Sequence, residues 1–355
     1  MTATDIGLLA VFLVVLVGPF TNKAIERNLE AFLFVMGALS VTIAGAWHWE
    51  LVLEAVKEPV VKGIVPAVLV AGLLFHYGRG HARRAMDSLL KWIPLKVVVF
   101  AIVVILGLAS SVITAIIASL LLVEVMNILP LERTPRINLI IIACFSIGLG
   151  AALTPLGEPL STIAITKLQG PPYHATFFFL FEKLALYILP GVLAMGLLSL
   201  FFIGRKAEVK HTEASESGES LKEVGIRGLK VYLFVMALIL LGGGMKVVID
   251  KYFSTVSSRA LYWLNMISAI LDNATLTAAE IGPSLHLDQI TAALMGLLIA
   301  GGMLIPGNIP NIISANKLSI TSKEWARLGV PLGLVMMCLY FVWLFHLPFL
   351  LSAAP

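Results

Sequence analysis

Six stretches of this sequence, at about 6–22, 30–46, 60–78, 176–204, 228–249 and 326–349, are apolar almost without interruption. Each is close to the roughly 20 residues a helix needs to cross the hydrocarbon of a bilayer. Charged residues make up 13% of the chain and hydrophobic ones 59%, with a mean hydropathy of +0.97. A soluble domain carries about 25% charge, so lipid must be the main solvent here. Inside lipid every backbone N–H and C=O has to be paired within the protein, which leaves helices or a closed barrel. The runs are continuous rather than short alternations, so the expected class is an all-α polytopic membrane protein.

Four further apolar stretches do not behave as simple spans. Residues 94–129 are too long for one helix and are interrupted by Ser110-Ser111-Val112-Ile113-Thr114. Residues 259–282 are interrupted by Leu271-Asp272-Asn273-Ala274-Thr275. Both are expected to be re-entrant helical hairpins. Stretches 137–168 and 290–318 are broken near their middles, by Thr154-Pro155-Leu156-Gly157-Glu158-Pro159 and by Ile305-Pro306-Gly307-Asn308-Ile309-Pro310-Asn311. Proline removes a donor and clashes with the preceding turn, and glycine tolerates irregular backbone. These are expected to be crossing helices with unwound centres, which at membrane depth must be buried in protein or line a polar cavity.

Charge sets the orientation. With each hairpin returning to its own side, eighteen of the 25 Lys and Arg residues fall on one face. By the positive-inside rule that face is cytoplasmic and both termini lie outside. The net charge of +4 is therefore read as loop charge that orients the chain, not as a nucleic-acid footprint. The N-terminus lacks a basic n-region and a small-residue cleavage site, so the first apolar run is expected to stay as a span. Arg83, Arg84, Lys91 and Lys96 lie in an amphipathic stretch expected to run along the inner surface.

The Ser-, Glu- and Lys-rich stretch 205–227 reads as a cytoplasmic linker dividing the chain. Residues 1–93 supply scaffold spans, 94–204 a first repeat and 228–355 a second. Each half orders a span, a hairpin, a broken span and a span. Ser111-Val112-Ile113-Thr114 is set opposite Asp272-Asn273-Ala274-Thr275, and Pro155, Gly157 and Lys167 opposite Pro306, Gly307 and Lys317. The first hairpin opens inward and the second outward, so the repeats are inverted, an arrangement that in secondary transporters puts the substrate at the repeat interface.

Carboxylates within apolar stretches are costly and usually functional. Asp272 at the second hairpin tip and Glu158 in the first broken helix are the best placed. Helix ends there leave unpaired N–H and C=O groups. With Asn273, Thr275, Thr154, Ser161, Asn308 and Asn311, and with Ser111 and Thr114 of the first tip, they form an oxygen-rich set suited to sodium. A carboxylate shielded from water favours its neutral form, so one group can accept a proton or a cation in turn. Glu124 and Glu280 lie in hairpin arms, Glu280 expected to reach the outer interface. Lys167 and Lys317 end the broken helices and are expected to snorkel. The seven His are dispersed, and Cys144 and Cys338 have neither disulfide nor metal spacing. Neither a phosphate-binding Gly-Lys-Ser/Thr loop nor HExxH is present, which disfavours ATP-driven pumping by this chain alone; a transporter rather than an enzyme is expected.

At these residues the chain resembles the ion transporter superfamily, in particular NhaD-type sodium/proton antiporters and related predicted cation transporters. SAILDNATLTAA (268–279) resembles that family's Asp-Asn hairpin tip, and GAALTPLGEPLSTI (150–163) its first broken helix. The resemblance in order covers about 95–345. It implies a homodimer built on scaffold domains, a transport domain holding both hairpins and moving as an elevator, and no bound cofactor. By position, it implies that Asp272, Asn273, Thr275 and Glu158 are sodium and proton ligands. The first tip lacks the acid that NhaD-like proteins tend to carry, and Asn308 stands where the second broken helix would have one. Cation/proton antiport with sodium is the leading expectation. Sodium-coupled uptake of a small organic or inorganic anion is the alternative, because superfamily branches with hydroxyl- and amide-rich tips bind anions at helix N-termini.

Overall fold

The structure, a computed structural model, describes residues 2–61 apart from 23, 26 and 27, residues 65–66, 69–70, 73 and 88, and then 92–203, 221–252 and 256–346. Most of the expected span 60–78, the amphipathic stretch with Arg83, Arg84 and Lys91, and linker residues 205–220 lie outside the described residues. Every described element is helical.

Helix α1 (Ala3–Thr21) starts from a capping box between Thr2 and Asp5, and α2 (Leu29–Ala44) ends at Gly45 in the left-handed region, φ 63°. Next comes α3 (Trp49–Val61), which buries Leu51, Ala55 and Pro59, one residue per turn. That spacing marks a one-sided helix, and the sequence reading did not separate it from the span assigned to 60–78. A helix pair follows, α4 (Leu95–Ile113) and α5 (Ala115–Ile128). The first broken helix comprises α6 (Arg133–Ala151) and α7 (Pro159–Leu168), and α8 (Phe179–Phe202) closes the first half.

The second half opens with α9 (Leu221–Tyr252), which begins inside the stretch assigned to the linker. Its pair is α10 (Ser258–Leu264), continued by a 3₁₀ turn (Asn265–Ala269), and α11 (Asn273–Glu280). The broken helix is α12 (Leu287–Gly301) and α13 (Ile309–Leu318), with a 3₁₀ turn at Ile305–Gly307 between them. Last is α14 (Ser322–Phe345), entered through a capping box of Thr321 and Glu324. Among the described residues five helices are long and apolar enough to cross a membrane: α4, α6, α8, the Gly228–Val248 part of α9, and α14. This is a polytopic helical membrane protein.

The two broken helices form its centre, buried without a gap over 139–154 and 292–305. Their neighbours are exchanged between the halves: α5 packs on α13, and α11 packs on α7. Helices α1, α2, α3 and α9 pack as a group beside this core, and α9 touches both α11 and α13. Without a hydrophobic force between helices in lipid, close contact depends on small residues. A Cβ on Gly37 of α2 would lie 2.8 Å from the Ala237 carbonyl oxygen of α9, and one on Gly244 would lie 2.3 Å from Ser40 Oγ.

The tightest such contact joins α4 to α6. A Cβ on Gly150 would sit 1.7 Å from the Gly107 carbonyl oxygen and 3.2 Å from Ser110 Oγ. Ser110 Oγ donates across the same seam to Ile147 O at 3.0 Å. The obstruction is backbone, so the helices would have to part. Gly150→Ala is expected to cost at least the roughly 1–3 kcal/mol typical of overpacking, read as a lower melting temperature of the purified protein.

Candidate functional site

Each break is closed by its own groups, on the same plan. Glu158 and Asn308 are the extended N-cap residues of α7 and α13, at φ −155° and −152°. Proline follows at the first or second helical position, where its missing N–H removes nothing. Ser161 Oγ donates to Ala151 O at 3.5 Å, and Asn311 Nδ2 to Gly301 O at 2.8 Å and to Leu304 O at 2.8 Å. Gly157 and Gly307 are required by close approach. A Cβ on either would come within 2.5 Å of the carbonyl oxygen that ends the preceding helix, Ala151 O at 1.9 Å or Gly301 O at 2.5 Å.

These equivalences share one offset of 150 residues, linking Glu158 with Asn308 and Lys167 with Lys317. At that offset Pro306 falls opposite Leu156, where the alignment of the two stretches by sequence sets Pro155. The helix pairs shift as well. Thr114 caps α5 as Asp272 precedes α11, and Ser119 Oγ and Thr277 Oγ1 each donate to the carbonyl four residues back, at 2.5 and 2.8 Å. Aligned by capping position, Thr114 rather than Ser111 falls opposite Asp272. Capping position, invisible to a four-letter match, decides the register.

Glu158 is 5% exposed, and its Oε1 is buried with no hydrogen-bond partner. The side chain that approaches it is Asn273 from the other half of the chain, and the charge of Asp272 also acts on it. Asn273 Nδ2 is itself buried and outside hydrogen-bond geometry. The structure thus brings Glu158, Asp272 and Asn273 together where α7 meets α11. A cavity of about 310 Å³ opens beside Glu158, lined by Thr114, Ala115 and Ile116 of the first tip, residues 155–159 of the break, Thr162, Ile163 and Ile309 of the second half. The first tip is tied to the break by Ala115 N–H donating to Gly157 O at 2.8 Å and by Thr154 Oγ1 donating to Ser111 O.

The other candidates have partners or neighbours of their own. Ser111 Oγ donates back to Leu108 O at 2.7 Å. Asn308 faces α6, its Nδ2 2.7 Å from where a Cβ on Gly148 would be. The hydroxyl of Ser161 and the amide hydrogens of Asn311 are directed to the breaks, with Asn311 Oδ1 left unpartnered. Thr275 lies in α11, and its side chain is outside the described residues.

Two expectations are corrected. Lys317 does not snorkel: it is buried against Glu124 of α5 in an ion pair with side-chain exposures of 5% and 9%. Glu280 does not reach an open interface, since both its carboxylate oxygens are buried without a hydrogen-bond partner. The sequence reading had no signal for the Lys317–Glu124 pair beyond charge in an apolar context. Among the described residues no group of three His, Cys, Asp or Glu could hold a metal ion.

Thr114 carries φ 75° and ψ 149°, a conformation that a β-branched residue adopts only at a cost. Such strain amounts to about 1–3 kcal/mol. Its hydroxyl repays part by accepting from Ile117 N at 3.3 Å, and glycine caps only a few tenths of a kcal/mol less well. Thr114→Gly is therefore expected to raise the melting temperature of the purified protein. No change or a fall would show that the tip is unstrained.

The model of one family, described as a protein of unknown function (DUF1646), matches residues 6–347. No curated protein matches the chain.

Proposed function

The chain belongs to the DUF1646 family of proteins of unknown function, and we propose that it is a secondary transporter exchanging a monovalent cation, sodium foremost, for protons. The observation that carries the reading is the meeting of Glu158 with Asp272 and Asn273 across the two halves. Two carboxylates near enough to act on each other, one of them buried, are not readily ionised together: one takes a proton, or a cation lies with them. A site that demands one or the other, but has room for little more positive charge, is the minimum apparatus of exchange.

The architecture supports the reading in three ways. Helices α5 and α11 have 14 and 8 residues, about 21 and 12 Å at 1.5 Å per residue, well short of the roughly 30 Å of hydrocarbon. They suit the returning arms of re-entrant hairpins. Helix α4, at 19 residues, is long enough to cross, so the first hairpin is the deeper one. The exchanged packing of α5 on α13 and α11 on α7 is what two repeats related by a two-fold axis produce, and the charge bias makes them inverted, with both termini outside. Half-helices meeting at such an interface form the ion sites of many secondary transporters. The group of α1, α2, α3 and α9 would be the scaffold of a homodimer, against which the broken helices and hairpins move as an elevator.

The test is purified protein in liposomes loaded with a pH-sensitive dye. Sodium or lithium pulses are expected to move protons in the opposite direction, and proton movement that ignores both cations would sink the antiport reading. Sodium-dependent accumulation of an anion without proton movement would install a symporter in its place.

A further inference from the structure

Buried oxygens without a partner do not stop at Glu158. Four more belong to the second helix pair and its turn: Asn265 Oδ1, Ser268 Oγ and both carboxylate oxygens of Glu280. Asn265 and Ser268 are completely buried. Asn265 Nδ2 donates to Ala293 O of α12 at 3.0 Å, which fixes the amide and leaves Oδ1 facing no donor. The same amide lies beside the Glu280 carboxylate, near enough to act on it. Residues three apart eclipse each other in a 3₁₀ helix, so Ser268 continues the face that begins with Asn265. Its Oγ lies 3.5 Å from where a Cβ on Gly301 would be, at the edge of the second break.

An ionised carboxylate and an amide oxygen only accept. Burying several oxygens that make no hydrogen bond costs free energy that a bound cation would offset. A proton on Glu280 could satisfy Asn265 Oδ1 and little else. A monovalent cation takes several hard oxygens at once. We propose that Glu280 and Asn265 hold a second monovalent cation, with Ser268 the next oxygen on the same face towards the break. Seven residues of helix separate Asn273 from Glu280, about 10 Å along the axis, so this ion is distinct from one held by Glu158 and Asp272. The inference rests on the reading of the chain as a cation carrier and adds a second ion per chain.

The experiment is equilibrium binding of radioactive sodium to the purified full-length protein, counted per chain. Wild type is expected to bind two ions and Glu280→Gln one. Glu280→Asp should keep both with a weaker second affinity, and Asn265→Ala should weaken the second ion by roughly tenfold, as for loss of one ligand. Glu158→Gln should remove the other ion, so the double variant with Glu280→Gln binds none. One sodium in wild type, unchanged by Glu280→Gln, overturns the second site while leaving the proposed exchange in place; Glu280 is then a neutral acid donating to Asn265. No sodium bound by wild type overturns both readings. Size-exclusion profiles check the fold. Should Glu280→Gln not fold, the stoichiometry of wild type and the affinity of Asn265→Ala still decide the matter.

Discussion

Glu158→Gln and Asp272→Asn are each expected to abolish sodium- or lithium-driven proton movement in liposomes while leaving the protein monodisperse. Glu158 is the more telling position. Its carboxylate sits at the N-cap of α7 with Oε1 unpartnered, so the neutral amide should be tolerated by the fold and refused only by the ion. Removing one member of a desolvated charged set costs about 2–5 kcal/mol, or roughly thirtyfold to several thousandfold in affinity. The two acids come from different halves yet act on each other. Their losses should therefore not add: the double variant is expected to be no worse than the weaker single one, as for groups that work as a unit. Additive losses, with exchange surviving in each single variant, would mean two independent sites and would end the shared-site account.

Which parts of this arrangement could be read from the chain follows from how local the signals are. The breaks were legible because Pro155, Gly157 and Pro159, and Pro306, Gly307 and Pro310, crowd lost donors, ring clashes and unrestrained backbone into a few residues, which a helix tolerates singly but not together. Glu158 and Asp272 stood out because an acid in an apolar run has few structural excuses. The packing of α7 with α11 sets the segments that carry them side by side, a contact between distant stretches of chain that no local pattern announces. Ser161 and Asn311 stand out by residue type as oxygen ligands. Their donors also close the breaks, a role set by the carbonyls that Ala151 and Gly301 leave open, which no composition reveals. Helix α3 was missed because Trp49 and Glu50 to Val61 alternate buried and exposed positions, giving no continuous apolar run. The ion pair of Lys317 and Glu124 spans 193 positions, and nothing in either neighbourhood names the other.

That ion pair carries the second large expectation. Lys317 lies at the end of α13 and Glu124 in α5, so the pair fastens the first hairpin to the second broken helix. Neither side chain has water to fall back on. Replacing one partner strands the other as a buried, uncompensated charge, at a cost of about 3–5 kcal/mol. Lys317→Met and Glu124→Gln are each expected to lower the melting temperature sharply, or to leave little folded protein after extraction. The combined Glu124→Gln/Lys317→Met variant strands nothing, and replacing a buried pair by neutral groups of similar volume is often close to neutral. It should recover most of the lost stability. A double variant as unstable as the worse single one would mean that the charges are needed for themselves and not only for each other. Exchange measured in the rescued protein then separates fastening from transport. Retained sodium/proton exchange assigns the pair to holding α5 against α13, whereas a stable protein that binds sodium but no longer releases protons assigns Lys317 and Glu124 to the proton's route.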